Sequence, residues 1–299
     1  MKSFALIGIA GFIAPRHLKA IKETGNTLVA ALDKSDTVGI IDSFFPEAAF
    51  FTEFERFDRH LEKLRRQQNG VDYISICSPN YLHDSHIRFA LRHQAHAICE
   101  KPLVLNPWNV DALMELEKET GKQVFTILQL RLHPAIIALR NKILAGPPDK
   151  VYNVDLTYFT SRGSWYHYSW KGDEAKSGGI ATNIGIHFFD MLLWIFGSAK
   201  DIRETQVGTD FAKGVLELER AQVRWELSID YNRLPETVKA EGKRTYRSLT
   251  IDGVEIEFSD GFTELHTHSY REVLEGRGFG LADAKSSIDL VYQIRQHKA

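Results

Sequence analysis

The stretch Phe4-Ala5-Leu6-Ile7-Gly8-Ile9-Ala10-Gly11-Phe12-Ile13-Ala14-Pro15-Arg16-His17 decides the reading of the first half of the chain. An apolar run of strand length enters a turn of small residues, and a helix-like segment opens beyond it. Such a turn lets backbone N–H groups and the positive end of a helix face a pyrophosphate. Its spacing is G-x-x-G-x-x-A rather than G-x-G-x-x-G, so taken alone a bare strand-to-helix turn explains it equally well. Asp33 tips the balance. It ends the next apolar run, where an acidic side chain accepts hydrogen bonds from the adenosine ribose. The same carboxylate repels a 2′-phosphate and favours NAD over NADP, with Lys34 and Ser35 as opposing features.

Outward from this turn, short apolar runs alternate with amphipathic segments. Strands are predicted over 4–9, 28–32, 73–77, 95–99 and 123–127, and helices over 16–24, 53–66, 81–93 and 107–120, with Gly25, Gly70 and Gly121 at element ends. That order makes βαβ units and a parallel sheet. A helix over 133–144 precedes Pro147-Pro148, and long period-two runs follow at 151–160, 201–209, 214–218, 221–231 and 246–258, the last turning at Asp252-Gly253. An antiparallel sheet is their natural product. An apolar helix over 183–196 falls between the first two runs, and a helix over 281–295 closes the chain. The expected fold is an α/β Rossmann dinucleotide-binding domain over 1–130, followed over 131–299 by an α+β substrate-binding and oligomerisation domain with a large open antiparallel sheet.

Composition narrows the function. With 299 residues, 43% of them hydrophobic, the chain can bury two cores. Its 37 basic against 39 acidic residues leave no field that draws it to nucleic acid or an anionic membrane. No apolar run is read as reaching the ~20 residues of a spanning helix, and the first residues lead straight into a strand. A cytoplasmic protein is expected. Cys77 and Cys99 lie in apolar runs, which suits two reduced core thiols.

Two loops follow predicted strands at the sheet edge where open α/β folds bind ligands: Ser78-Pro79-Asn80-Tyr81-Leu82-His83 and Glu100-Lys101-Pro102. Between Arg162 and Gly172, cations alternate with aromatic rings. That suits a phosphorylated sugar, with Arg162 and Lys171 on phosphates or a carboxylate and Trp165 against a ring. An aromatic packing loop at a subunit interface is the alternative. His83, His86, His93 and His96 lack a Cys or carboxylate at ligand spacing, so no metal is predicted. His266-Thr267-His268 reads as a surface turn or a loop of the substrate domain.

The loops 78–83 and 100–102, together with Asn183-Ile184-Gly185-Ile186-His187, resemble the glucose-fructose oxidoreductase and inositol dehydrogenase family (Gfo/Idh/MocA) over nearly the whole chain. The resemblance implies NAD-dependent oxidation of a sugar hydroxyl. It places Lys101 beside the nicotinamide and the reacting carbinol, and brings in His187 from the second domain. Hydride transfer from a carbinol needs a base for the hydroxyl proton and a cation for the developing alkoxide. His187 is read as the base and Lys101 as its electrostatic partner, and the roles can be exchanged. Many members have Asp where this chain has Asn183, an amide that can hydrogen-bond substrate but stabilises an imidazolium less.

Three further stretches, 11–17, Gln129-Leu130-Arg131 and 160–165, resemble one branch of that family, and this resemblance implies UDP-N-acetyl-2-amino-2-deoxyglucuronate as substrate, oxidised at its C3 hydroxyl in surface-polysaccharide (O-antigen) assembly. Cofactor contacts are then expected from Gly8, Gly11, Phe12, Ile13, Asp33, Ser78, Pro79, Asn80, His83, Glu100, Lys101 and Gln129. Substrate contacts are expected from Arg131, Tyr158, Ser161, Arg162, Trp165, Lys171, Asn183 and His187. The family also implies a homotetramer, for which Val223, Trp225, Leu227 and Ile229 are read as an uncovered sheet face, and reoxidation of NADH by 2-oxoglutarate. The alternatives are another sugar or polyol dehydrogenase and a regulatory protein that binds the cofactor without turnover.

Overall fold

A computed structural model describes residues 1–258 and 264–296. The chain divides into two compact units, Met1–Gln129 with Thr263–Lys285, and Leu130–Phe262 with Ser286–Ala299.

The first unit is built on strands β1 (Ser3–Ile7), β2 (Thr27–Leu32), β3 (Ala49–Phe51), β4 (Tyr73–Ile76), β5 (His96–Cys99) and β6 (Val124–Thr126), all parallel, in the order β3-β2-β1-β4-β5-β6. Phe4, Ala5 and Leu6 are fully buried, as a central parallel strand covered on both faces requires. The order reverses between β1 and β4, and that switch point is where such sheets bind ligands. β3 escaped the sequence reading, because three residues are too few to show a period.

Helix Leu265–Leu274 belongs to this unit, although the sequence reading put everything past 130 in the second domain. Its Tyr270 is fully buried in the first unit's core, and Thr267 donates to Glu23 at 2.8 Å. His266-Thr267-His268 is therefore no surface turn: it lies on this helix, with His266 and Thr267 each 1% exposed.

In the second unit, β7 (Tyr152–Thr160), β8 (Ala199–Val207), β9 (Phe211–Leu218), β10 (Ala221–Ser228), β11 (Thr245–Ile251) and β12 (Val254–Glu255) form one sheet in the order β12-β11-β7-β10-β9-β8. The sheet is mixed rather than purely antiparallel. β7 pairs with β10 in parallel, because the chain crosses over through helix Ile186–Phe196 before the β8–β9–β10 meander. A period-two pattern fixes faces, not strand direction. The β11–β12 turn has positive φ at Asp252 (51°) and Gly253 (80°), the geometry of a two-residue hairpin.

Helix Ile186–Phe196 covers the sheet face that carries Val223, Trp225 and Leu227, all at most 2% exposed; Ile229, beyond the strand, is equally buried. Phe189 meets Trp225 edge-to-face at 5.1 Å, and a Cβ on Gly185 would lie 2.5 Å from Leu227 Cδ1. These residues are core, and the expectation that they form an uncovered face is corrected. The stretch Glu174–Phe196 is long and apolar enough to cross a membrane by length and composition, contrary to the sequence reading, but 72% of its apolar window is buried inside the protein. Trp225→Ala is therefore expected to lower stability by about 3–5 kcal/mol in urea unfolding, with association by light scattering unchanged. Dissociation without loss of stability would instead put Trp225 at an interface.

Candidate active site

The turn after β1 passes so close to the end of β4 that only glycine fits. Gly8 has φ +90°, and a Cβ there would lie 2.6 Å from the Cys77 carbonyl carbon and 2.7 Å from its oxygen. Beyond it, Gly11 and Phe12, the latter 90% exposed, lead to Ile13 and the N-terminus of helix Ala14–Glu23. Asp33, at the end of β2, accepts the Ala10 N–H at 3.0 Å on one oxygen and the Ser35 N–H at 3.0 Å on the other. Each oxygen keeps acceptor capacity for a ribose hydroxyl. The amide oxygen of Gln129 is buried without a hydrogen-bond partner among the described residues. A buried acceptor of that kind, a glycine cradle and an acidic residue at the end of β2 all fit a dinucleotide.

Across the switch point, Ser78 Oγ and His86 Nδ1 share a hydrogen bond of 2.8 Å, while Pro79 and the buried Asn80 lead into a helical turn. His83, expected among the cofactor contacts, is held by two backbone carbonyls. Its ring is 1% exposed and bridges the carbonyls of Pro102 (2.7 Å) and Ser78 (2.8 Å), fastening loop 78–83 to loop 100–102. Burial holds its pKa below the ordinary value, against the two carbonyls, which favour the protonated ring. Glu100 is also held by protein groups. Its carboxylate turns inward, accepting from His17 at 2.9 Å and His266 at 2.8 Å, and the half-buried Lys101 follows it in the loop.

In the second unit, Asn183 lies in a π-helical turn, Ala181–Gly185, that runs directly into helix Ile186–Phe196. Asn183 and His187 are partly exposed in a segment whose neighbours are buried. Such turns recur at functional positions because they re-aim side chains. Asn183 donates to the Tyr166 hydroxyl at 2.9 Å, which ties it to the aromatic loop. In that loop the Lys171 ammonium lies 5.4 Å from the Trp165 ring and 5.6 Å from the Trp170 ring. Burial first, and the Arg162 charge second, hold its pKa below the usual value. Trp165 is 52% exposed and offers a ring face.

Three other expected substrate contacts have protein partners. Arg131 pairs with the buried Asp190 through two bonds of 2.9 and 2.7 Å, so its charge is already neutralised. Ser161 is buried and donates its N–H to Arg244 O at 2.8 Å, and Tyr158 packs on Phe188 at 4.7 Å. Arg247, which the sequence reading missed, lies over Tyr158, Phe188 and Phe258 at 5.4–5.8 Å, and burial lowers its pKa. A lone cation in a strand carries no sequence signal for that packing.

A Rossmann unit with a lysine-bearing loop at its switch point, joined in one chain to a mixed-sheet unit, is the plan of a nicotinamide-dependent oxidoreductase. Residues 2–128 match the model of the oxidoreductase family's NAD-binding Rossmann fold and residues 146–228 that of its C-terminal alpha/beta domain, and the chain belongs to this Gfo/Idh/MocA family.

The structure is similar to that of the WlbA (WbpB) dehydrogenase from Thermus thermophilus in complex with NAD and alpha-ketoglutarate: 55% identity, TM-score 0.96, 99% of this chain and 96% of that one. The complex of that dehydrogenase with NAD and UDP-GlcNAcA is comparably similar, at 54% identity, TM-score 0.95, and 99% and 95% coverage. Among curated relatives, the putative oxidoreductase YteT of Bacillus subtilis is 25% identical over 203 residues, 66% of this chain. The match spans about half (47%) of that relative's length.

His86 gives a pH test of loop 78–83. Burial lowers its pKa to about 4, below the ~6.5 of an exposed histidine, so the unfolded chain binds this proton more readily. Its contribution to stability is complete above pH ~6.5 and is lost as pH falls towards 4, a change of about 3 kcal/mol. Urea midpoints measured across that range should fall less steeply for His86→Asn, whose amide keeps a hydrogen-bonding group for Ser78.

Proposed function

We propose that this protein oxidises the C3 hydroxyl of UDP-N-acetyl-2-amino-2-deoxyglucuronate (UDP-GlcNAcA) with NAD+, giving the 3-keto sugar nucleotide. The observation that carries the reading is the likeness, at 54% identity over 99% of the chain, to a dehydrogenase crystallised with NAD and that sugar nucleotide. Bound NAD+ supplies the hydride acceptor. His187 takes the hydroxyl proton and the Lys101 ammonium stabilises the alkoxide as it forms. Asn183, steadied by Tyr166, hydrogen-bonds the sugar as a neutral donor and acceptor.

Arg162 and Lys171 meet the anionic groups of the substrate, and Trp165 stacks on a ring. An anion there relieves the mutual repulsion and desolvation that depress the Lys171 pKa. Arg131 supports the site through Asp190 instead of pairing with substrate. 2-Oxoglutarate is proposed as the oxidant that regenerates NAD+, itself reduced to 2-hydroxyglutarate. A cytoplasmic homotetramer completes the proposal, with the covered face of the second sheet excluded from its contacts.

Incubation with NAD+ and individual UDP-sugars, with and without 2-oxoglutarate, should give a product two hydrogens lighter than the uronate by mass spectrometry. UDP-N-acetylglucosamine, lacking the carboxylate, should be a poor substrate. Oxidation of that sugar or of inositol, but not of the uronate, sinks the substrate assignment. Lys101→Ala should lower turnover about 10²- to 10⁴-fold with little change in cofactor affinity. Titration calorimetry should find NAD(H) bound more tightly than NADP(H), and equal affinity would remove Asp33 from ribose recognition.

A further inference from the structure

Glu100 is 7% exposed, and its described side-chain partners are two histidines rather than a lysine or arginine. Oε1 accepts from Nε2 of His17 (2.9 Å) and of His266 (2.8 Å), and Oε2 accepts the backbone N–H of Lys101 at 3.3 Å. The other nitrogen of His17 lies 2.7 Å from the Tyr270 hydroxyl, itself 2.6 Å from Ser75 Oγ. One proton arrangement satisfies this chain. Ser75 donates to Tyr270, Tyr270 donates to His17 Nδ1, and both imidazoles donate Nε2–H to Glu100.

Burial opposes the charge on Glu100, but the bonds from His17 and His266 outweigh it and hold the carboxyl well below its usual range. Burial also lowers the His17 pKa and pushes that of Tyr270 well up, so each group stays in the form the arrangement needs. A zinc ion bound at ~2.0–2.1 Å to each ligand would hold the donor atoms about 3.3 Å apart. The observed 2.8 and 2.9 Å are hydrogen-bond lengths.

Resting on the reading of Lys101 as the charged partner of the reacting hydroxyl, we propose that Glu100 is its positioning residue. With His17 and His266, it locks the loop that carries Lys101 to the helix that opens at the dinucleotide turn. His17 lies in the first turn of that helix, Ala14–Glu23, so a single carboxylate fixes the backbone of Lys101 against the element that faces the cofactor. A misplacement of about 1 Å at a reacting group can cost about 10²-fold in rate. The segment Leu265–Leu274 contributes to the chemistry without touching it, by supplying His266 and the hydroxyl that orients His17.

The decisive variant is Glu100→Gln. Its amide oxygen can take both imidazole N–H groups, but its NH2 then opposes the Lys101 N–H, so that bond alone is lost. Hydrogen exchange at the Lys101 amide should accelerate about tenfold or more, while the β5 amides keep their protection. With NAD+ and UDP-GlcNAcA, kcat should fall about ten- to a hundredfold, with the NAD+ dissociation constant little changed. His266→Gln keeps a donor near the Nε2 position and should retain turnover, whereas His266→Leu should fall with Glu100→Gln. Unchanged Lys101 amide protection in Glu100→Gln overturns the proposal. So does normal turnover in that variant when Lys101→Ala is impaired, or a loss of NAD+ affinity that accounts for the whole effect. Near-normal turnover of Lys101→Ala removes the reading on which it rests.

Discussion

The first unit depends on one buried negative charge. Placing a carboxylate in a protein core is costly unless donors replace the water it loses. At Glu100 those donors come from far along the chain: His17 is 83 residues away and His266 is 166. The need to satisfy Glu100 therefore draws the nucleotide-turn helix, the loop after β5 and the returning helix Leu265–Leu274 into one arrangement. The loops of the switch point inherit its rigidity, and His83 extends it by joining the Ser78 and Pro102 carbonyls. A site that moves a proton and a hydride gains from such a frame, because geometry set before binding need not be set at the transition state.

The second unit holds its candidate groups by packing rather than by charge. Helix Ile186–Phe196 is wedged on the sheet by Phe189 and Trp225, close enough that position 185 has no room for a side chain. The π-helical turn before it presents Asn183, and the first turn of the helix His187, from an otherwise buried segment. Its cations fall into two kinds. Arg131 is spent on Asp190, a buried pair whose partner could not be removed cheaply. Lys171, by contrast, is half enclosed by tryptophan rings and lies near Arg162, the circumstance in which an incoming anion gains most.

Much of this was legible in the sequence because it is local. A strand, a glycine turn and a helix declare themselves within fifteen or so residues, and so did the parallel sheet and the Asp33, Ser78 and Lys101 positions at its carboxyl edge. The glycine at position 8 and the hairpin at Asp252-Gly253 follow from backbone angles that few other residues adopt. What the tertiary structure alone decided are relations between distant residues. Period-two runs mark the faces of a sheet but not strand direction, so the parallel β7–β10 pair was invisible. An apolar strand face looks the same whether a helix of its own chain or another subunit covers it, and here the helix does. An arginine, a histidine or a glutamate is written identically whether it meets a ligand or a partner 60 or 160 residues away. Arg131, His83 and Glu100 turned inward because each found, in the fold, an acceptor or donor that made burial cheaper than exposure.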